Sequence, residues 1–141
     1  MADRLASRGL VDTSVVIGLE QVEPDVLPPE MAIAAVTLAE LAAGPHATRD
    51  ATERARRQER LQRAEATFDA IPFDTAAARA YGRLYAEVAS GGRKARGKRA
   101  LDLLIAATAL ATSLPLYTRN PSDFDGLETL IDVTAVSPAK V

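Results

Sequence analysis

Four acidic residues stand where a strand or helix is expected to begin or end: Asp12, Glu40, Asp102 and Asp123. Asp102 is the most demanding, because it sits in Arg99-Ala-Leu-Asp-Leu-Leu-Ile-Ala-Ala-Thr-Ala109, whose apolar run reads as a helix entering a core. An unpaired carboxylate there is costly and needs a counter-charge. Acids gathered at one place repel each other, and a hard divalent cation suits such an all-oxygen ligand set. Mg²⁺, with Mn²⁺ as a substitute, would lower the pKa of bound water and stabilise charge on a phosphate oxygen. The chemistry expected is metal-dependent hydrolysis of a phosphate ester.

Each acid also has a purely structural role open to it. Asp12 could cap the helix after a first strand, Asp123 could stabilise a turn, and Asp102 could answer a helix dipole. Glu40 completes Thr37-Leu-Ala-Glu40, an S/T-x-x-E capping box. Joint position favours the chemical reading. Sites in open parallel α/β sheets form beyond the carboxyl ends of the strands, where all four acids can converge.

The elements that must position them follow from alternating apolar runs and helical stretches, which predict an α/β fold with a mostly parallel sheet. Leu10-Val11 reads as a strand ending at Asp12, followed by a brief helix opened by Thr13-Ser14, and Pro24, Pro28 and Pro29 mark a loop. A second strand spans Met31 to Val36, and a helix starts at Thr37 and stops at Gly44-Pro45. Residues 48–68 form a long charged helix with a thin apolar stripe of Ala51, Ala55, Leu61, Ala64 and Phe68. Ile71-Pro72-Phe73 reads as a short edge strand. Asp74 caps a helix with Ala77, Tyr81, Leu84 and Val88 on one face, ended by Gly91-Gly92. The helix from Ala100 to Thr112 is apolar nearly all round and should be central, Leu116-Tyr117-Thr118 is a strand, Asn120 to Asp123 a turn, and Leu130 to Val136 a last strand.

Composition limits the alternatives. A chain of 141 residues, 48% apolar and 26% charged, suits one globular domain over residues 1–141. With no cysteine and a single histidine, His46, there is no thiolate nucleophile and no zinc site built on Cys or several His. The uncharged run 103–117 is too short to span a membrane and is broken by Pro115, and the N-terminus MADRLASRGLVD has no apolar leader core. A cytoplasmic protein with no membrane association is expected. The net charge of −2 excludes a uniformly basic coat, yet Arg93, Lys94, Arg96, Lys98 and Arg99 form an acid-free basic run just before Asp102. That run is either a solvated loop or a contact for a phosphate backbone.

Val11-Asp-Thr-Ser14, Thr37-Leu-Ala-Glu40, Asp102-Leu-Leu-Ile-Ala-Ala-Thr-Ala109 and Leu116-Tyr-Thr-Arg-Asn-Pro-Ser-Asp-Phe124 together resemble the PIN-domain nucleases, and size and order are most similar to the VapC toxins of bacterial VapBC toxin–antitoxin systems. The resemblance implies a three-layer α/β/α sandwich around a parallel sheet. It implies a Mg²⁺- or Mn²⁺-dependent endoribonuclease, commonly homodimeric and neutralised by a VapB-like antitoxin. Asp12 and Asp102 would be the principal metal ligands, with Glu40 and Asp123 completing the acidic cluster. Ser14, Thr118 and Asn120 match polar positions that would orient these acids or a water. Asp125 competes with Asp123 for the fourth acidic position. The 48–68 helix, with Arg54, Arg56, Arg57, Arg60 and Arg63 among Glu53, Glu59 and Glu65, is either a solvated helix or the face an antitoxin helix docks near.

The rival from another class is a non-catalytic PIN-like module that binds RNA or protein, and the intact acids weigh against it. A phospho-acceptor receiver domain would carry paired acids at the first strand and a late lysine, and an aspartyl phosphotransferase would show Asp-x-Asp. Asp12-Thr-Ser14 offers neither, and no lysine stands directly after the Leu116 strand.

Overall fold

Strands with both faces covered carry apolar residues at successive positions, and that is how the central layer is written here. In the computed structural model, which describes residues 7–92 and 97–137, β1 (Arg8–Val11), β2 (Glu30–Ala34), β3 (Asp69–Ile71), β4 (Leu116–Thr118) and β5 (Val133–Ala135) form one sheet in the order β3-β2-β1-β4-β5. Every neighbouring pair is parallel. Leu10, Ala32, Ala34 and Leu116 face one core, while Val11, Ile33 and Tyr117 face the other. This is the period-2 alternation of a strand, with apolar residues in both phases.

Five helices make the outer layers: α1 (Thr13–Ile17), α2 (Ala35–Ala43), α3 (Ala51–Thr67), α4 (Thr75–Ser90) and α5 (Lys98–Thr112). α4 and α5 pack Leu84, Val88, Leu103 and Ile105 on one face of the sheet, and α1 and α3 pack Val15, Val16, Ala64 and Phe68 on the other. The arrangement is the three-layer α/β/α sandwich. Asp50 caps α3 by accepting from the Glu53 amide at 2.7 Å, and Asp74 caps α4 by accepting from the Ala77 amide at 3.0 Å. α5 buries seven residues from Asp102 to Ala109, as its sequence requires.

Several boundaries move. The second helix starts at Ala35, two residues before Thr37, so Thr37-Leu-Ala-Glu40 is not a capping box; no side chain caps α2, and Thr37 is fully buried inside it. β3 ends at Ile71 rather than including Pro72 and Phe73, because proline lacks the amide that would continue the ladder. α5 begins at Lys98, which places Lys98 and Arg99 on the helix. β5 is confined to Val133–Ala135. In α3 the apolar stripe narrows to Leu61, Ala64 and Phe68, with Ala51 and Ala55 exposed. His46 is exposed, as expected.

The strand order places the site. From β1 the chain winds outward to β2 and β3, then returns across the sheet to β4 and β5 on the opposite side. The direction of winding reverses between β1 and β4, and such a switch point leaves a crevice beyond the carboxyl ends of the two strands. Asp12 follows the end of β1, and Thr118 ends β4. Among the described residues no helix is long and apolar enough to cross a membrane. Residues 1–6, part of the segment read as having no apolar leader core, lie outside the described residues.

Gly9 on β1 leaves room on one face of the sheet for the ring of Tyr117. A Cβ on Gly9 would lie 2.5 Å from Tyr117 Cε1 and 2.9 Å from Pro28 Cγ. Tyr117 is buried and cannot move aside. Gly9→Ala is therefore expected to destabilise the protein by about 1–3 kcal/mol through overpacking. Urea unfolding of the two proteins checks this, and an unchanged midpoint would contradict it.

Candidate active site

Asp12 caps α1 and stands just beyond the carboxyl end of β1. Its carboxylate is 5% exposed, and its Oδ1 accepts from the Val15 amide at 3.2 Å and from the Ser14 hydroxyl at 2.6 Å. Among the described residues Oδ2 accepts no hydrogen bond, so one oxygen is spent on the fold and the other is left for a ligand. Ser14 Oγ in turn accepts from the Arg119 amide at 3.0 Å and lies 3.5 Å from Thr118 Oγ1, which accepts from the Asn120 amide at 3.0 Å. These contacts fasten the turn after β4 to the start of α1. Ser14, Thr118 and Asn120 therefore do meet beside Asp12, Asn120 through its backbone.

Glu40 is tied in by hydroxyls rather than by another charge. Thr13 Oγ1 donates to Glu40 Oε1 at 2.6 Å and lies 3.0 Å from Thr37 Oγ1. Starting α2 early turns Thr37 and Glu40 toward α1 on successive positions of one helical face.

Asp102 and Asp123 form a second group around one ammonium. Lys98 Nζ donates to Asp102 Oδ1 at 3.1 Å, to Asp102 Oδ2 at 3.2 Å and to Asp123 Oδ2 at 3.1 Å. Arg99 Nη1 reaches the Asp123 carbonyl at 3.4 Å. Asp123 thus shares one ammonium with Asp102. Arg93, Lys94 and Arg96 lie outside the described residues.

The charges of the two groups sense each other. Burial pushes the Asp102 carboxyl above the ordinary aspartate range; Lys98 opposes that push, and the charges of Asp123 and Asp12 add to it. Burial also works against the Lys98 ammonium, but its hydrogen bonds to Asp102 and Asp123 and their charges outweigh that cost, so its pKa too is raised. The same ion pair tips opposite ways at its two ends for a plain reason. The Lys98 side chain is 68% exposed and that of Asp102 only 13%, so desolvation dominates at the carboxylate. Both shifts favour bound cations, a proton on Asp102 or a positive charge beside it.

The donor chemistry fits a hard divalent ion: carboxylate and hydroxyl oxygens, with Asp12 and Asp102 both buried. The tight four-acid cluster expected from the sequence is not present in this arrangement. Among the described residues no three acidic or histidine side chains are gathered closely enough to hold an ion together. Lys98 stands between Asp102 and Asp123, and Glu40 is held off by Thr13.

Residues 9–128 match the model of the PIN domain. The chain belongs to the PIN-domain family. Among PIN-domain proteins it is 36% identical over 131 residues to ribonuclease VapC5 of Mycobacterium tuberculosis, a match covering 91% of this chain and 93% of that protein. A chain in the crystal structure of VapBC-5 from M. tuberculosis, a member of the VapBC family of toxin–antitoxin systems, superposes with a TM-score of 0.80 at 35% identity, covering 94% of this chain and 99% of that one. A chain of FitAcB from Neisseria gonorrhoeae superposes with a TM-score of 0.70 at 26% identity, covering 88% and 94%. The protein is a VapC-like member of the PIN-domain family.

The sequence missed Thr13 as the link between Asp12 and Glu40, and Lys98 as the counter-ion of Asp102. The second had a legible signal, since Lys98 and Asp102 are spaced i,i+4 and meet once the helix starts after Gly97.

A raised carboxylate pKa has a definite sign in stability. The folded state binds the proton more tightly than the unfolded chain, so the ionised carboxylate lowers stability at neutral pH. The penalty shrinks as pH falls through the raised pKa toward the unfolded one. Asp102→Asn, without divalent metal, is therefore expected to melt higher than wild type at pH 7, by a few °C for about 1 kcal/mol. The difference should narrow on acidification through the carboxylate range. A lower melting temperature for the variant at pH 7 would contradict this.

Proposed function

We propose that the chain, as a single PIN-like nuclease domain over residues 1–141, is a metal-dependent endoribonuclease and the toxin of a VapBC-type pair. The observation that carries this reading is the pair of buried carboxylates, Asp12 and Asp102, at the switch point of the sheet. Two buried acids within each other's field cost stability that a bound dication would return. The relatives' names, a ribonuclease and toxin–antitoxin complexes, support RNA as substrate and a VapB-like antitoxin as partner.

Asp12, through its unbonded Oδ2, and Asp102 would hold the ion, with Asp123 completing the set on the far side of Asp102. Mg²⁺ is the expected ion, with Mn²⁺ able to replace it; when bound it supplies an activated water and charge stabilisation at the phosphate. Glu40, aligned by the 2.6 Å hydrogen bond from Thr13, orients that water and accepts its proton. Ser14, Thr118 and Asn120 fix the turn that carries Asp123. Arg93, Lys94, Arg96 and Arg99 draw in the RNA backbone, and Lys98 adds its charge at the mouth of the site. Intact acids favour this over a non-catalytic binding module.

The antitoxin has a fitting surface. A groove of about 380 Å³ runs between α1 and α3, floored by Val16, Ala64 and Phe68 and rimmed by Arg56, Arg60 and Arg63, with Ile17 half exposed beside it. An amphipathic helix with an acidic edge suits it. A homodimer and a cytoplasmic location complete the proposal. Tyr85 on α4 and Leu101 on α5 are exposed apolar side chains available to a second copy.

Asp12→Asn and Asp102→Asn are each expected to lower RNA cleavage by about 100-fold or more, while Thr13→Val, which only releases Glu40, costs roughly 10-fold. Cleavage of a labelled RNA with Mg²⁺, and with EDTA as the metal-free control, measures all three. Full activity of Asp102→Asn, or cleavage that EDTA leaves intact, would overturn the proposal.

A further inference from the structure

Lys98 has a geometry that neither a free surface lysine nor a simple RNA contact requires. It lies in the first turn of α5, four residues before Asp102, and its ammonium meets three carboxylate oxygens at 3.1, 3.2 and 3.1 Å. The two oxygens of Asp102 lie too close together to take separate N–H groups, so one N–H is shared between them and a second points to Asp123. The pocket it serves carries two carboxylates against its single charge. Asp102 is the deeper of the two.

The lysine is also easy to move. Its side chain is 68% exposed, whereas those of Asp102 and Asp123 are 13% and 31% exposed. Ion pairs made by such an exposed group are weak, because water replaces much of what the pair supplies. The helix start allows it, since Gly97 precedes Lys98 with φ of 57° and no side chain caps α5. The anions are therefore the less exposed partners, Asp102 above all, and the cation between them is exposed and monovalent.

We infer that Lys98 is a built-in counter-cation that occupies the position between Asp102 and Asp123 in the metal-free protein and gives it up when the divalent ion enters. Lys98 thereby sets metal affinity as a positioning residue, and releases its charge toward the phosphate backbone only once metal is bound. This rests on the metal-dependent reading above. The charges are accounted for: one ammonium leaves the two carboxylates a net negative charge, a dication neutralises them fully, and the ammonium swings into solvent still protonated. Metal loading and backbone attraction are coupled through one side chain.

The test is calorimetric titration of the full chain with Mn²⁺, comparing wild type, Lys98→Met, Lys98→Arg and Asp102→Asn. Melting of each variant with and without Mn²⁺ verifies folding. Lys98→Met removes the competitor and is expected to bind Mn²⁺ roughly tenfold more tightly, with a larger metal-induced rise in melting temperature. Lys98→Arg keeps a cation that must still be displaced and should stay near wild type, which a merely structural role for the lysine would not produce. Equal or weaker binding by Lys98→Met, with binding lost in Asp102→Asn, overturns the exchange and leaves the metal site standing. No Mn²⁺ binding by any of the four overturns the metal-dependent reading as well.

Discussion

The structure turns on one costly placement, a carboxylate in the second turn of a helix that is otherwise core. Asp102 enters the protein on α5, whose following residues fill the space between α4 and the sheet, so its depth is set by apolar packing it cannot influence. Everything nearby answers that charge. Lys98 comes from the same helix, and the turn after β4 brings Asp123 to the same ammonium. Asp12 adds a second buried negative charge from the end of β1. A fold selected only for stability would place an apolar residue at 102. Two buried acids within each other's field fit the proposed site for a dication.

Topology explains why these residues meet although they lie far apart in sequence. The chain starts at the middle of the sheet and builds outward on both sides, so β1 and β4 become neighbours whose following turns open on the same crevice. Hydroxyls then convert proximity into fixed geometry. Ser14 joins Asp12 to the turn after β4, and Thr13 joins Glu40 to the start of α1. None of these bonds spans charge to charge, so the carboxylates keep oxygens for a ligand instead of exhausting them on internal ion pairs. Among the described residues only the exposed Lys98 pairs directly with an acid of the site, and it is the member most readily removed.

Much of this was legible in the sequence because its signals are local. Leu116-Tyr-Thr118 reads as a strand from its composition alone, Asp74 stands at a helix start, and the unbroken apolar run after Asp102 declares a buried helix. The failures share a physical cause. Thr37-Leu-Ala-Glu40 has the spacing of a capping box, but β2 delivers the chain to α2 two residues earlier, and tertiary packing buries Thr37 against Thr13. The basic run before Asp102 was read as a charge count, whereas a helix start at Lys98 turns one of its members inward. Which side chain bridges two acids depends on helix phase and on a turn 25 residues away, and spacing within one segment does not carry that information.

The central claim is that Asp12 and Asp102 share a divalent ion and that Lys98 withdraws to admit it. Anomalous diffraction from crystals grown with Mn²⁺ tests it most directly. The account predicts an anomalous peak about 2.0–2.2 Å from oxygens of both Asp12 and Asp102, with the Lys98 ammonium no longer between Asp102 and Asp123. A peak elsewhere, or no peak with Lys98 still bridging the two carboxylates, would contradict it.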